Sequence, residues 1–221
     1  MNKKQIQEEY KVLIKEKRFT EFARLIKKTT LRPPEYVIRI GVKTYLTEKR
    51  PLKIKLFFII KLLEISEVKL DASILQDICK LMLDLGTPYT LEFFSNIIEV
   101  DKAIFKEIKG YIQKAYSNYI TEVRLVEITK LMEITKIEPS ENLILKGYKD
   151  YLEKGNIISF VNLQKRTDIE PKKGLIIEMF QLYKNKVSTS SNVEGEKGAA
   201  YWNKRIEKLS KATGIEFIEE S

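Results

Sequence analysis

Apolar residues recur every three to four positions along almost the whole chain, and this spacing constrains the fold more than any other feature. One such run contains Ile74, Ile78, Leu81 and Leu85. An interval of three to four residues is the period of an α-helix, whereas a half-buried strand alternates apolar and polar residues. No segment shows a convincing alternation of the second kind. The sequence therefore predicts an all-α fold.

The prolines divide this pattern into separate helices, because they stand where apolar-periodic runs begin. Proline fits the first turn of a helix, where no backbone hydrogen bond is lost. Asp71 and Asp101 precede further runs and are predicted N-caps. Gly155 predicts the end of one helix, and Asn156 the cap of the next. These marks predict twelve helices, over residues 4–17, 20–29, 34–48, 51–65, 72–85, 88–99, 102–117, 119–135, 140–154, 157–167, 172–186 and 199–212.

The predicted helices group into pairs that restart at regular intervals. The restarts fall 30 to 38 residues apart, at Pro33, Asp71, Asp101, Pro139 and Pro171. Units of two helices with a period of roughly 33–47 residues are typical of helical solenoids. The predicted fold class is therefore a right-handed α-solenoid of about five antiparallel helix pairs, and an irregular multi-helix bundle is the alternative.

The helical-repeat domain is predicted to cover residues 1–186. Residues 187–198 are small and polar, which predicts a flexible linker. Residues 199–221 are predicted to form an amphipathic helix and a tail. One face of that helix carries an apolar stripe, made of Trp202, Ile206 and Leu209. This stripe either caps the end of the solenoid or docks onto a partner, and its three residues are the predicted partner-docking site.

Two segments resemble pentatricopeptide or tetratricopeptide repeats. Residues 10–33 and 143–171 each contain an aromatic-rich first helix, a turn, a second helix and a proline before the next pair. The resemblance, extended over residues 4–186, implies a superhelix of hairpins that binds single-stranded RNA or peptides. The positions that read bases in pentatricopeptide proteins fall on Glu8 and Leu145, and not on Asn, Ser or Thr. The base-reading code is therefore not carried over, and the tetratricopeptide signature is incomplete.

Catalytic chemistry has few candidates in this sequence. Histidine is absent and Cys79 is the single cysteine, which excludes a disulfide and any histidine-based catalysis. Cys79 lies in an apolar helical context and is predicted to be buried and unreactive. No phosphate-binding loop or metal motif is present. We therefore expect no enzyme activity, no cofactor, no metal and no small-molecule substrate. We also expect a cytoplasmic protein without a membrane partner, because no signal peptide or apolar span is visible.

Positive charge is concentrated in the first third of the chain. The net charge is +9, and the first 70 residues hold 18 basic and 8 acidic side chains. A concentrated basic surface is typical of nucleic-acid binders. Helical spacing groups the basic residues on three faces, and these are the candidate phosphate contacts: Lys11, Lys15, Arg18, Arg24, Lys27, Lys28, Arg39 and Lys43.

These residues support two functional hypotheses. The first is a non-enzymatic module that contacts RNA or DNA through phosphates with its basic N-terminal surface. The second is a protein–protein interaction scaffold of the tetratricopeptide type, since solenoids also bind peptides and helices on their concave faces. Lysine outnumbers arginine in this chain. Arginine is the more usual residue for forked phosphate contacts, so the lysines are alternatively an ordinary solvated surface.

Overall fold

A computed structural model of the chain describes residues 2–68, 70–85, 87–98, 100–193 and 196–216. These residues form helices and no strand, which confirms the all-α prediction. None of the described helices is both long and apolar enough to cross a bilayer. The helices are α1 (Lys3–Lys15), α2 (Phe19–Thr29), α3 (Glu35–Thr47), α4 (Leu52–Ser66), α5 (Ala72–Asp84), α6 (Pro88–Ile97), α7 (Lys102–Glu107), α8 (Lys109–Thr121), α9 (Leu125–Thr135), α10 (Glu141–Glu153), α11 (Ile157–Thr167), α12 (Lys173–Val193) and α13 (Glu196–Thr213).

The predicted helix caps are confirmed. The Asp71 carboxylate accepts a hydrogen bond from the Ile74 amide at 2.9 Å, and the Asp101 carboxylate accepts one from the Ala103 amide at 2.8 Å. The Asn156 side chain caps α11 in the same way. Each cap satisfies one of the amide groups that a helix N-terminus leaves without an intrahelical partner. The caps therefore fix where three of the helices begin.

The predicted boundaries between residues 102 and 135 are wrong. The first predicted helix is divided near Ile108 into α7 and α8, and α8 then runs through residue 118 to Thr121. The turn that precedes α9 is centred on Val123, which has a φ of 59°. A β-branched residue rarely takes this left-handed conformation. The turn has neither the glycine nor the proline by which a turn is usually recognised in a sequence, so it was not predicted.

The linker predicted for residues 187–198 is largely helical, because α12 continues to Val193 and α13 begins at Glu196. The Ser188 and Thr189 hydroxyls donate to the carbonyl groups of Lys184 and Asn185, one turn earlier. Hydroxyl side chains bonded in this way are accommodated inside a helix. The composition of the segment therefore did not decide its conformation. The last predicted helix begins earlier than residue 199.

The chain divides into two compact units. The first comprises residues 1–115 and 133–137, and the second comprises residues 116–132 and 138–221. Within the first unit, α1 packs on α3, α3 on α5 and α5 on α7, while α2 packs on α4 and α4 on α6. Within the second unit, α10 packs on α12 and α11 on α13. Most of these helices thus contact both a neighbour in the chain and the corresponding helix of an adjacent pair.

Three of the helix turns close with the same pair of backbone hydrogen bonds. Their central residues, Lys17, Val123 and Gly155, all have a positive φ. In each turn the central amide donates to the carbonyl three residues back, and the next amide donates to the carbonyl five residues back. This arrangement is the Schellman motif, in which glycine is the usual central residue. Lys17 and Val123 therefore adopt the central conformation of the motif at a cost in backbone conformational free energy.

Replacing Val123 by glycine is expected to stabilise the chain by about 1 kcal/mol. Relief of a left-handed β-branched residue gains about 1–2 kcal/mol, part of which the greater freedom of glycine in the unfolded chain offsets. The reciprocal change, Gly155→Val, should destabilise, because a Cβ on Gly155 would lie 3.2 Å from the Trp202 ring and the residue has a φ of 69°. Urea unfolding followed by circular dichroism measures both changes. Equal stability of the two variants would contradict this account.

A buried tyrosine links each of these turns to a later helix. The Tyr45, Tyr151 and Tyr183 hydroxyls donate to the carbonyl groups of Ile14, Ile120 and Leu152, each 31 residues earlier. We call these contacts the tyrosine bridges. Each acceptor carbonyl also accepts the central amide of the adjacent Schellman motif. Burial raises the pKa of Tyr151 to about 12, so that its hydroxyl remains a donor at ordinary pH.

The tyrosine bridges belong to a longer sequence similarity within the chain. Residues 10–45, 116–151 and 148–183 align without gaps. The first two of these segments share residues that the structure uses in the same way, such as Gly41 and Gly147. A Cβ on either glycine would lie 2.6 Å from an isoleucine Cγ2, on Ile14 or Ile120. The glycines therefore allow neighbouring first helices to approach closely.

Candidate functional site

The eight cations of the predicted phosphate-binding surface all lie in the first unit, on α1, α2, α3 and the turn between α1 and α2. Among the residues that the structure describes, five of them have no carboxylate oxygen within 4 Å of their cationic nitrogens. All five are exposed, and they are Lys15, Arg24, Lys27, Lys28 and Lys43. These five are the cations that remain available to an external anion.

Arg18 is held by carboxylates of its own turn. Its Nη1 lies 3.2 Å from Glu16 and its Nε lies 3.4 Å from Glu21. These hydrogen bonds raise the pKa of the guanidinium. Arg124, at the aligned position of the second unit, binds Glu122 and Glu127 in the same way. Arg18 therefore already has carboxylate partners in its own turn, and its contact with phosphate stays a prediction.

Arg39 is also committed to partners within the first unit. Its Nε donates to Glu35 at 3.1 Å, and its Nη1 pairs with Asp71. The hydrogen bond to Glu35 is the main reason why the pKa of this guanidinium is raised. Since Asp71 also caps α5, Arg39 joins α3 to the start of α5. Arg39 therefore has a structural role, and its contact with phosphate stays a prediction.

Lys11 and Lys15 line a groove between α1 and α3, which we call the α1/α3 groove. Buried residues form its floor and exposed residues its rim, and it is lined by Lys11, Ile14, Lys15, Val37, Ile40, Gly41, Thr44 and Tyr45. Its volume is about 230 Å³. Ile40 is 54% exposed although it is aliphatic. The groove is therefore an apolar cleft with a basic edge.

Lys11 is less free than Lys15 at this edge. Its Nζ pairs with Glu8 at 2.7 Å and lies 5.6 Å from the centre of the exposed Tyr36 ring. The hydrogen bond that the ammonium group donates to Glu8 raises the pKa of Lys11. Lys43, three residues after Ile40 on α3, is exposed but does not line the groove. The groove edge thus carries two ammonium groups, and Glu8 pairs with one of them.

A second, shallower depression lies between α1 and α2, and we call it the α1/α2 depression. It is lined by Glu9, Leu13, Arg18, Glu21, Arg24, Leu25 and Lys28, and its volume is about 240 Å³. It shares no lining residue with the α1/α3 groove. The predicted surface is therefore divided, with Lys11 and Lys15 at the groove and Arg24 and Lys28 at the depression.

The apolar stripe of α13 packs on its own unit. Leu209 is fully buried, and Ile206 and Trp202 are half-buried. The Trp202 ring lies 5.3 Å from the Tyr183 ring, and the Lys186 Nζ lies 4.3 Å from the centre of the indole. The predicted partner-docking face is therefore covered by the protein itself. The sequence left both possibilities open, because an amphipathic helix does not reveal whether its apolar face packs within the chain or on a partner.

Cys79 is buried in α5, as predicted. Burial raises the pKa of its thiol to about 12, so that the reactive thiolate is scarce near neutral pH. We expect iodoacetamide at pH 8 to leave Cys79 unmodified in the folded protein and to alkylate it fully in 6 M urea. Mass spectrometry counts the added groups. Rapid alkylation without urea would show that the thiol is accessible.

The apolar part of the groove could not be recognised from the sequence. Ile40 resembled the other apolar residues of its helix, and Gly41 did not stand at a predicted turn. The internal alignment holds the missing information, since Ile40 aligns with the exposed charged residues Lys146 and Glu178. Ile40 therefore differs from the charged residues at the aligned positions, and its exposed side chain becomes part of the groove lining.

Metal-dependent chemistry has no visible centre in the described part of the chain, where no three acidic or cysteine side chains are placed to hold an ion. A comparison with protein-family models found no match for this sequence, and searches of curated proteins and of solved structures also found none. The inferences that follow therefore depend on the geometry of the molecule alone.

Proposed function

We propose that the protein is a non-enzymatic binding module of helix-pair repeats that contacts nucleic acid through phosphates. The repeats would form a right-handed α-solenoid, similar to pentatricopeptide and tetratricopeptide proteins. The order of helix contacts within the first unit supports this proposal, because first helices pack on first helices and second helices on second helices. Such stacking is typical of solenoids. The single, buried cysteine fits a reducing compartment such as the cytoplasm.

The observation that carries the nucleic-acid proposal is that five of the eight predicted cations are exposed and have no carboxylate oxygen within 4 Å in the described part of the chain. Three of them, Arg24, Lys27 and Lys28, project from the C-terminal half of α2, and we call these three residues the α2 surface. Ammonium and guanidinium groups that are not paired within the protein can neutralise phosphates and release bound counterions. Binding of this kind tolerates many sequences and weakens with salt.

Reversing the charges of Lys27 and Lys28 is expected to weaken binding to single-stranded RNA by about 10–100-fold at low salt. Loss of two phosphate contacts should also reduce the slope of log K against log salt concentration by about 1.4, which is two contacts at about 0.7 each. Fluorescence anisotropy of a labelled RNA at several salt concentrations measures both quantities. Single-stranded and duplex DNA in parallel would show which nucleic acid is preferred.

The matched control is the double change Lys165→Glu and Arg166→Glu. These residues align with Lys27 and Lys28 and also lie in the last turn of their helix, α11. Both variants therefore lose the same favourable interaction with the helix dipole. We expect the control to bind RNA like the unchanged protein. Equal loss in both variants would show that general charge, and not the α2 surface, determines binding.

The protein–protein scaffold remains the second candidate, and a separate observation favours it. The α1/α3 groove is lined mainly by apolar groups, and its rim exposes Ile40. Phosphate contact does not require such a surface. Apolar clefts between helices are typical sites for peptide side chains. Nucleic acid and a protein partner would then use different faces of the same unit.

A further inference from the structure

We infer that the α1/α3 groove binds a segment of another protein in which an apolar side chain is flanked by aspartate or glutamate residues. The site lies apart from the α2 surface and does not depend on nucleic-acid binding. Its apolar floor would receive the side chain, and its lysines would contact the acidic flanks.

The charge at the groove edge specifies an acidic partner. Lys15 is exposed and has no carboxylate within 4 Å among the described residues. Lys11 is the second lysine that lines the groove, and Glu8 is the carboxylate that pairs with it. Two ammonium groups beside one carboxylate favour encounter with an acidic segment and disfavour a basic one. Since these lysines lie beside an apolar cleft, the acidic groups must accompany an apolar anchor.

The second unit shows which chemical group pairs with a lysine at this position. Between α10 and α12, Lys149 occupies the position of Lys11, and Glu178 occupies the position of Ile40. The Lys149 Nζ pairs with Glu178 at 3.1 Å and lies 3.9 Å from Glu153, which aligns with Lys15. There the helices themselves supply the carboxylates. In the α1/α3 groove the aligned residues are isoleucine and lysine, so among the described residues the helices supply only Glu8, which pairs with Lys11, and a carboxylate for Lys15 would come from a partner.

The groove has the size of a site for one amino-acid side chain and is smaller than a typical cofactor site. Its volume of about 230 Å³ is smaller than the roughly 300–1,000 Å³ of typical small-molecule pockets. Its lining is aliphatic at Ile14, Val37 and Ile40, which suits leucine, isoleucine, methionine or phenylalanine. Nucleic-acid bases stack on exposed aromatic faces instead. The exposed ring nearest to the groove, Tyr36, already has the Lys11 ammonium close to it.

The test selects random 12-residue peptides displayed on phage against the full chain, and then measures synthetic fluorescein-labelled versions by anisotropy. We expect enrichment of peptides with one large apolar residue and at least two flanking Asp or Glu residues. The change Ile40→Glu should weaken these peptides at least tenfold, because a glutamate there reproduces the α10/α12 arrangement and pairs with Lys11. Lys15→Glu should weaken them similarly. The aligned residues Glu178 and Glu153 indicate that both positions tolerate glutamate.

The control is Ile177→Glu, which changes an isoleucine that is similarly exposed, on α12. This variant should bind within twofold of the unchanged protein. Absence of enrichment, enrichment of neutral or basic peptides, or binding that survives Ile40→Glu would each overturn the inference. Displacement of the peptide by single-stranded RNA, with RNA binding lost in Ile40→Glu, would assign the groove to nucleic acid and also overturn it.

The Lys27→Glu and Lys28→Glu double variant separates the two proposals. If the groove acts independently, this variant keeps peptide binding while it loses RNA binding. Loss of peptide binding in the folded double variant would contradict the assignment to the groove. If the unchanged protein binds no RNA but binds the acidic peptides, the nucleic-acid proposal fails and the groove assignment stands.

Discussion

Replacing Tyr45 by alanine is expected to destabilise the first unit by about 3–5 kcal/mol, the range for deleting a large buried aromatic side chain. Tyr45 is fully buried, and its hydroxyl donates to the Ile14 carbonyl. Tyr45→Phe should cost only about 1 kcal/mol. The reason is that the Ile14 carbonyl keeps the hydrogen bond from the Lys17 amide when the hydroxyl is removed. The difference between the two variants therefore separates packing from hydrogen bonding.

The chain contains a separate probe for each unit. Cys79 is the single cysteine and lies in the first unit, whereas Trp202 is the single tryptophan and lies in the second. Alkylation of Cys79 in increasing urea measures the stability of the first unit, and Trp202 fluorescence measures that of the second. Tyr36→Ala is the control, since this tyrosine is exposed and its removal should change stability by less than about 0.5 kcal/mol. Equal midpoints for Tyr45→Ala and Tyr36→Ala would refute the role of the tyrosine bridge.

Replacing Gly41 by leucine is expected to destabilise the first unit by about 1–3 kcal/mol or more, because the side chain must enter a closed contact. A Cβ on Gly41 would lie 2.6 Å from the Ile14 Cγ2 and 2.8 Å from the Leu62 Cδ2. The leucine end can rotate, but the branched Ile14 Cβ cannot move without shifting its rotamer or α1. The α1/α3 groove should widen as a result, so affinity for acidic peptides should fall with stability.

Gly110 provides a matched control for this substitution. It also lies in a helix of the first unit, and a Cβ there would meet no atom within 4 Å. Gly110→Leu is therefore expected to leave stability unchanged or to raise it by up to about 1 kcal/mol, since leucine favours helices more than glycine does. Cys79 alkylation in urea compares the two variants directly. A loss of stability at Gly110 equal to that at Gly41 would show that close packing of α1 and α3 is not the cause.

Much of the helical organisation could be predicted from the sequence, because periodicity and caps are local. Asp71 and Asp101 cap the helices that they were expected to cap. The turn at Val123 could not be predicted, since two backbone hydrogen bonds hold a residue that intrinsically avoids that conformation. Residues 187–193 also escaped prediction, because their hydroxyls bond within α12. In both places hydrogen bonds override the preference of the individual residue.

The candidate site could be predicted only as a collection of charges. Helical spacing placed Lys11 and Lys15 on one face correctly, and both line the α1/α3 groove. Spacing could not show that Arg39 is paired with Asp71, which lies 32 residues away. It also could not show that Ile40 remains exposed, because apolar residues of a helix normally face the core. Which cations stay free depends on carboxylates that are distant in the sequence and close in the fold. Local spacing therefore cannot predict it.

The direction of the tyrosine bridges has a consequence for synthesis of the chain on the ribosome. In all three bridges the donor follows its acceptor by 31 residues. Each acceptor carbonyl is therefore translated before the tyrosine hydroxyl that will bind it. At about 5–20 residues per second, the delay is roughly 2–6 seconds. Each of these helix pairs thus remains incomplete while the next is being made, and the bridges close in order from the amino terminus.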